Sequence, residues 1–163
     1  MKTLIDRQFE WNFWGNRRTL DMLKDNGGGT EKMRELMSHI LATERVWLTR
    51  LEGMDSTDME IFTSEILPPY DLERCAEYLD MNRHDWTAFL AGLSEEKLLF
   101  TLYYKNQSGS PFESNVADIL LHVSSHGHYH RGQINALARA EGWQPVSTDY
   151  ILFAREFESA KNI

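Results

Sequence analysis

Four stretches of this chain set apolar side chains at steps of three and four residues, a period that suits packed α-helices and little else. In residues 2–25 the line is Ile5, Phe9, Phe13, Asn16, Leu20 and Leu23. In 31–52 it is Met33, Leu36, Met37, Ile40, Trp47 and Leu51, and in about 71–91 it is Leu72, Cys75, Leu79, Trp86 and Leu90. In 115–141 it runs Val116, Ile119, Val123, His126, His130, Ile134 and Leu137.

The punctuation agrees with the period. Asp25-Asn26-Gly27-Gly28-Gly29 stops the first helix, because glycine and asparagine tolerate the left-handed backbone that ends helices. Thr30 is placed to cap the second helix and Ser114 the fourth, which ends at Gly142. Residues 53–70, with Gly, Ser, Thr and a Pro pair, read as a loop. Leu98–Tyr104 is β-prone and too short for another long helix, and Asn106–Pro111 is turn chemistry, so a small hairpin or irregular excursion fits there. A short last helix, about 147–159, follows Pro145. The expectation is one domain over 1–163, an all-α four-helix bundle with an additional short C-terminal helix. The connections at 53–70 and 92–113 are long enough for crossovers, so a simple up-and-down order is not required.

Charge narrows the partners. Twenty-five acidic against 17 basic residues give a net −8, which repels a phosphate backbone and argues against nucleic acid. The compact basic pair Arg17–Arg18 is assigned to a solvated helix face. A single cysteine, Cys75, excludes an intramolecular disulfide and a cysteine-rich zinc site, and it falls on the apolar line of its helix. The opening MKTLIDRQFEWNFW is broken by charges, and no stretch approaches eighteen apolar residues. The expected location is cytoplasmic, with no membrane partner.

Chemistry concentrates in HGHYHRGQ, residues 126–133. Four of the six histidines, His122, His126, His128 and His130, lie within nine residues. His126 and His130 are one helical turn apart on the predicted core-facing line, the spacing that lets two imidazoles share a metal. A buried pair held only by hydrogen bonds is the alternative. A third ligand has to come from another helix. His39, amid Leu36, Met37 and Ile40, is the candidate, whereas His84 between Arg83 and Asp85 is assigned to solvent. Three histidines leave a coordination position open, as catalytic sites require. His128 points away from the pair, and His122, one turn earlier, could lean toward it. Glu44 lies on the apolar stripe of the second helix. It is either a rim residue whose carboxylate reaches water, or an acceptor or general base beside the metal, and it is the candidate catalytic residue. There is no His-Glu-x-x-His, no Glu-x-x-His and no phosphate-binding glycine loop, so a zincin-type protease, a ferritin-like di-iron site and a P-loop are unsupported.

The stretch ILLHVSSHGHYHRGQINALARAEGWQPVSTDYILF resembles the C-terminal signature of the DinB-like (DinB/YfiT) superfamily. FWGNRRTLDML, LMSHILATERVWLTRL and Tyr104-x-Asn106-x-x-Gly109 agree in order, so the resemblance spans nearly the whole chain. It implies a bundle of up-down-down-up topology and a divalent metal (zinc, nickel or iron) on His39, His126 and His130. It also implies a homodimer. His122 matches a frequent family histidine without thereby being a ligand. Arg131 is expected to pair with an acid or fix a neighbouring helix, Gly132 to permit close helix packing, and Asn16 to need buried partners. Related members include mycothiol-dependent maleylpyruvate isomerases and bacillithiol S-transferases. The resemblance therefore points to thiol-dependent S-transferase or detoxification chemistry on a small-molecule substrate, with a low-molecular-weight thiol as cosubstrate. A metal-dependent hydrolase and a non-catalytic metal-binding stress-response protein are the alternatives.

Overall fold

The computed structural model describes residues 1–53, 71–106 and 108–161, so the expected loop at 53–70 lies, apart from Gly53, outside the described residues. The fold is mostly helical. Four long helices, α1 (Lys2–Asp25), α2 (Glu31–Glu52), α3 (Leu72–Gly92) and α4 (Val116–Ala140), are followed by the shorter α5 (Tyr150–Lys161). One small antiparallel sheet, β1 (Thr101–Lys105) with β2 (Pro111–Asn115), interrupts them after a 3₁₀ turn at Lys97–Leu99. The excursion expected before the fourth helix is thus a hairpin, in register Thr101 to Asn115 and Lys105 to Pro111.

The ends form largely for the reasons the sequence suggested. Gly27, Gly28 and Gly29 all take positive φ, at 71°, 98° and 73°, which turns the chain sharply out of α1. Thr30 Oγ1 accepts from the Met33 amide, and Asp71 caps α3 by accepting from Arg74 N. The fourth helix corrects the expectation: its cap is Asn115, whose Oδ1 accepts from Ala117 N, while Ser114 is spent on the strand opposite Leu102.

Helices α1 and α2 each pack on both α3 and α4 and touch each other little. The apolar core is divided. One cluster gathers Phe9, Phe13, Leu48, Trp86, Leu120 and Val123, and the other Leu20, Leu23, Met37, Leu41, Leu79 and Ile134. The residues between them along each helix are polar: Asn12 and Asn16 on α1, Glu44 on α2, Asn82 on α3 and Arg131 on α4, all buried. A polar layer therefore separates two apolar halves, and α4 runs through it.

Candidate metal centre

His39 from α2 and His126 and His130 from α4 come together at the flank of the α2–α4 contact. His126 Nε2 is 3.1 Å from His39 Nε2 and 3.1 Å from His130 Nε2, and one nitrogen from each ring lies within 4.8 Å of the others. His39 is exposed and the other two are half-buried. Two nitrogens bonded to one tetrahedral zinc at ~2.0–2.1 Å stand roughly 3.3 Å apart, so the observed spacing is close to that of a ligand set.

Hydrogen bonding supports the same reading. His130 Nδ1 donates to the Gln133 amide oxygen at 2.8 Å. That oxygen can only accept, so the proton is held on Nδ1 and the Nε2 lone pair faces its neighbours. His126 Nε2 then meets two other ring nitrogens but has at most one hydrogen to give. The His130 Nε2 lone pair thus faces the other two ring nitrogens, an arrangement that a cation can share. Burial holds the His126 pKa down to about 3, with His130, His39 and His122 adding to it, and burial first and His130 second lower that of His39. Both rings are neutral at physiological pH, as metal ligands must be.

The remaining histidines keep to their expected places. His84 and His128 are exposed, and His128 lies against the Trp11 ring with centroids 5.0 Å apart. His122 leans toward His126 at 5.5 Å between centroids and toward Trp47 at 5.7 Å, but its nitrogens are not part of the convergent set. Two cavities open alongside. One of about 450 Å³ is lined by His39, Thr43, Trp47, Arg50 and Ser108, among others. One of about 290 Å³ is lined by Trp47, Tyr104, Asp118 and His122, among others.

The structure moves several residues from where the sequence put them. His126 and His130 do not occupy the core line of α4; that line passes through Val123, Gly127, Arg131 and Ile134, and the two imidazoles sit one position to the side. Glu44 is no rim residue, being 2% exposed. Its Oε1 accepts from Asn12 at 2.6 Å and Asn16 at 2.7 Å, and its Oε2 from Asn82 at 2.9 Å. No hydrogen bond joins it to the three histidines. Burial pushes its pKa up against the pull of the three amides and Arg131. Arg131 Nη1 donates to Asn12 Oδ1 at 2.7 Å and Asn16 Oδ1 at 2.6 Å, so the two asparagines relay the guanidinium to the carboxylate. This answers what Asn16 and Arg131 bind.

Gly132 meets nothing within 4 Å and permits no close packing. The close approaches are at Gly127 and Gly15. A Cβ on the first would stand 2.4 Å from Asn12 Oδ1, and one on the second 2.8 Å from Arg131 Nε. Asn12, Asn82 and Gln133 were not singled out from the sequence. Asn82 had a signal, since it takes a core step between Leu79 and Trp86. Gln133 had one too, standing one turn after His130.

The family model described as "DinB family" matches residues 1–160. A relative named "Protein DinB", from Bacillus subtilis (strain 168), is 24% identical over 163 aligned positions, covering 94% of this chain and 95% of the relative.

Proposed function

The chain belongs to the DinB family, and from that premise we propose that it is a divalent-metal-dependent enzyme of thiol-transfer type, with His39, His126 and His130 as metal ligands. The observation that carries the reading is the convergence of three imidazole nitrogens beside an open cavity, with Gln133 fixing the tautomer of His130. A divalent metal held by three neutral imidazoles keeps a position where a thiol can bind and lose its proton at neutral pH. Zinc, nickel and iron all suit such a donor set, and the cell's supply decides among them.

The residues of the chain have separable tasks. His126 and His39, neutral through burial, offer lone pairs without first shedding protons. The Trp47 ring forms an apolar wall shared by both cavities and suits the body of a small organic substrate. The thiol comes from solution, because Cys75 is buried in the core with its pKa raised by burial. Glu44 has no proton-transfer task in this proposal, since three amides hold its carboxylate. The hydrolase alternative therefore lacks a base at Glu44. The reading carries with it a four-helix bundle of up-down-down-up topology in one domain over 1–163, a homodimer and a cytoplasmic location. The contacts of α1 and α2 with both α3 and α4 support the bundle, and the absence of a helix apolar and long enough to cross a membrane among the described residues accords with the location.

The test is metal content by plasma mass spectrometry on untagged protein, beside His39→Ala and His126→Ala. About one equivalent in the wild type, lost in both variants, is expected from a site of this ligand count. A chromogenic electrophile should then be consumed only when thiol is added. No metal after reconstitution with zinc or nickel would sink the proposal, and thiol-independent turnover would favour the hydrolase.

A further inference from the structure

The cavity that exposes His39 contains one charged group for which the metal site has no use. His39, Thr43, Val46, Trp47 and Arg50 follow one another at helical steps along a single face of α2, and this face lines the larger cavity. Arg50 lies against the rings of Trp47 and Tyr104, its guanidinium carbon 4.8 Å and 5.0 Å from their centroids, and the two rings themselves meet edge-on at 5.1 Å. Its Nη2 donates to the Lys105 carbonyl at 3.1 Å, and its Nε has no partner. A guanidinium has five N–H donors in a planar fork, so most of this one is unspent.

Arg50 lines this cavity without an acid among the described residues; Arg34, which donates only to the Gly28 and Gly29 carbonyls, also lacks one but is not part of the cavity lining. Arg45 pairs with Asp85, Arg74 with Glu77 and Arg83 with Glu10, and even buried Arg131 reaches Glu44 through two asparagines. No carboxylate pairs with Arg50 among the described residues. A cation half-withdrawn from water inside a cavity, with no acid on it among the described residues, suits an external anion.

We infer that Arg50 is the anion anchor of this cavity, and that the ligand is an elongated small molecule with a carboxylate at the end remote from the histidines. Eleven residues separate Arg50 from His39 on one helix, roughly 16 Å of rise between their backbone positions. The Arg50 side chain lies back against Trp47, one turn nearer His39, and shortens that span, so an acid of peptide size suits what remains better than a two-carbon one. Which end of the ligand reacts rests on the metal reading; the anchoring does not.

Calorimetric titration separates the two. The probes are glutathione, its diethyl ester with both carboxylates neutralised, and S-methylglutathione, which has no free thiol. Wild type loaded with zinc should bind glutathione at least about tenfold more tightly than the diester, the worth of one charge-assisted hydrogen bond. That preference runs against the −8 charge of the whole chain, which favours the more cationic diester. Arg50→Gln should abolish the preference with metal content unchanged, and Arg50→Lys should keep part of it. S-methylglutathione should lose affinity in Arg50→Gln even after the metal is stripped. Equal binding of acid and ester by the wild type overturns the assignment, as does a preference that survives Arg50→Gln or no measurable binding of any probe. Should glutathione and S-methylglutathione bind alike with and without zinc, the thiol-on-metal reading fails while an Arg50-dependent preference for the acid still upholds the anchor.

Discussion

His130 and Arg131 are neighbours on α4, and each belongs to a different polar cluster. His130 faces the α2 flank, where three imidazoles gather beside a cavity that His39 lines and, among the described residues, no acid joins the set. Arg131 faces the interior, fully buried, where Asn12 and Asn16 pass its hydrogen bonds on to Glu44 and Asn82 completes the carboxylate. The second cluster is largely closed on itself and draws on all four long helices. The first is open, with three ring nitrogens converging and only the His130 tautomer held, by Gln133. Polarity inside a helical core therefore has two uses here. A network that joins a buried cation to a buried carboxylate fixes how the helices meet, even with Arg131 Nε and Nη2 and Asn82 Oδ1 left without partners, and a cluster of neutral imidazoles at the flank suits an ion.

The difference should show most strongly when one charge is removed. Arg131→Met leaves Glu44 buried without its cation and is expected to cost about 3–5 kcal/mol in urea unfolding. Adding Glu44→Gln should recover part of that loss, because the unpaired charge goes with it. A cost under about 1 kcal/mol for the single variant would show that the network is not what joins the helices.

Backbone approach comes next. Gly127→Ala drives a methyl to 2.4 Å from Asn12 Oδ1 and 2.8 Å from Arg131 Nη1, so about 1–3 kcal/mol should be lost. On the open cluster, Gln133→Ala frees the His130 tautomer. Zinc affinity measured by competition with a chelator should fall by about 10- to 100-fold while the fold is unaffected. Unchanged affinity would make that hydrogen bond incidental.

Acid should separate the clusters without mutation. His126 has a folded pKa near 3 against 6.5 for an ordinary histidine, because burial and its neighbouring imidazoles oppose its charge. A depressed folded value means that the contribution to stability is whole above pH 6.5 and is lost as pH falls from there toward 3. Metal-free wild type should therefore melt lower across that window, and His126→Ala should flatten the slope. Gly132→Ala, with nothing within 4 Å, should be the mildest change, gaining up to about 1 kcal/mol from helix propensity.

The helices, their order and the placing of His126 and His130 on one face were readable from the chain, because helical period and i, i+4 spacing are properties of consecutive residues. The hairpin was half-legible, as β-prone residues before turn chemistry. What the sequence left undecided is clearest on α4. From Val123 to Ile134 two lines satisfy steps of three and four, one through His126 and His130 and one through Gly127 and Arg131. Taken alone, burying two imidazoles costs less than burying a guanidinium, so the histidines read as the core line. The tertiary structure chose the other. Asn12 and Asn16 from α1, Glu44 from α2 and Asn82 from α3 meet at the level of Arg131 and together offset its desolvation. That offset depends on residues of three other helices, Asn12 the furthest at 119 positions away, and periodicity within one helix carries no information about them. The local pattern determined that α4 would bring two histidines to one face; only the packing of the other three helices decided that this face borders a cavity and not the core.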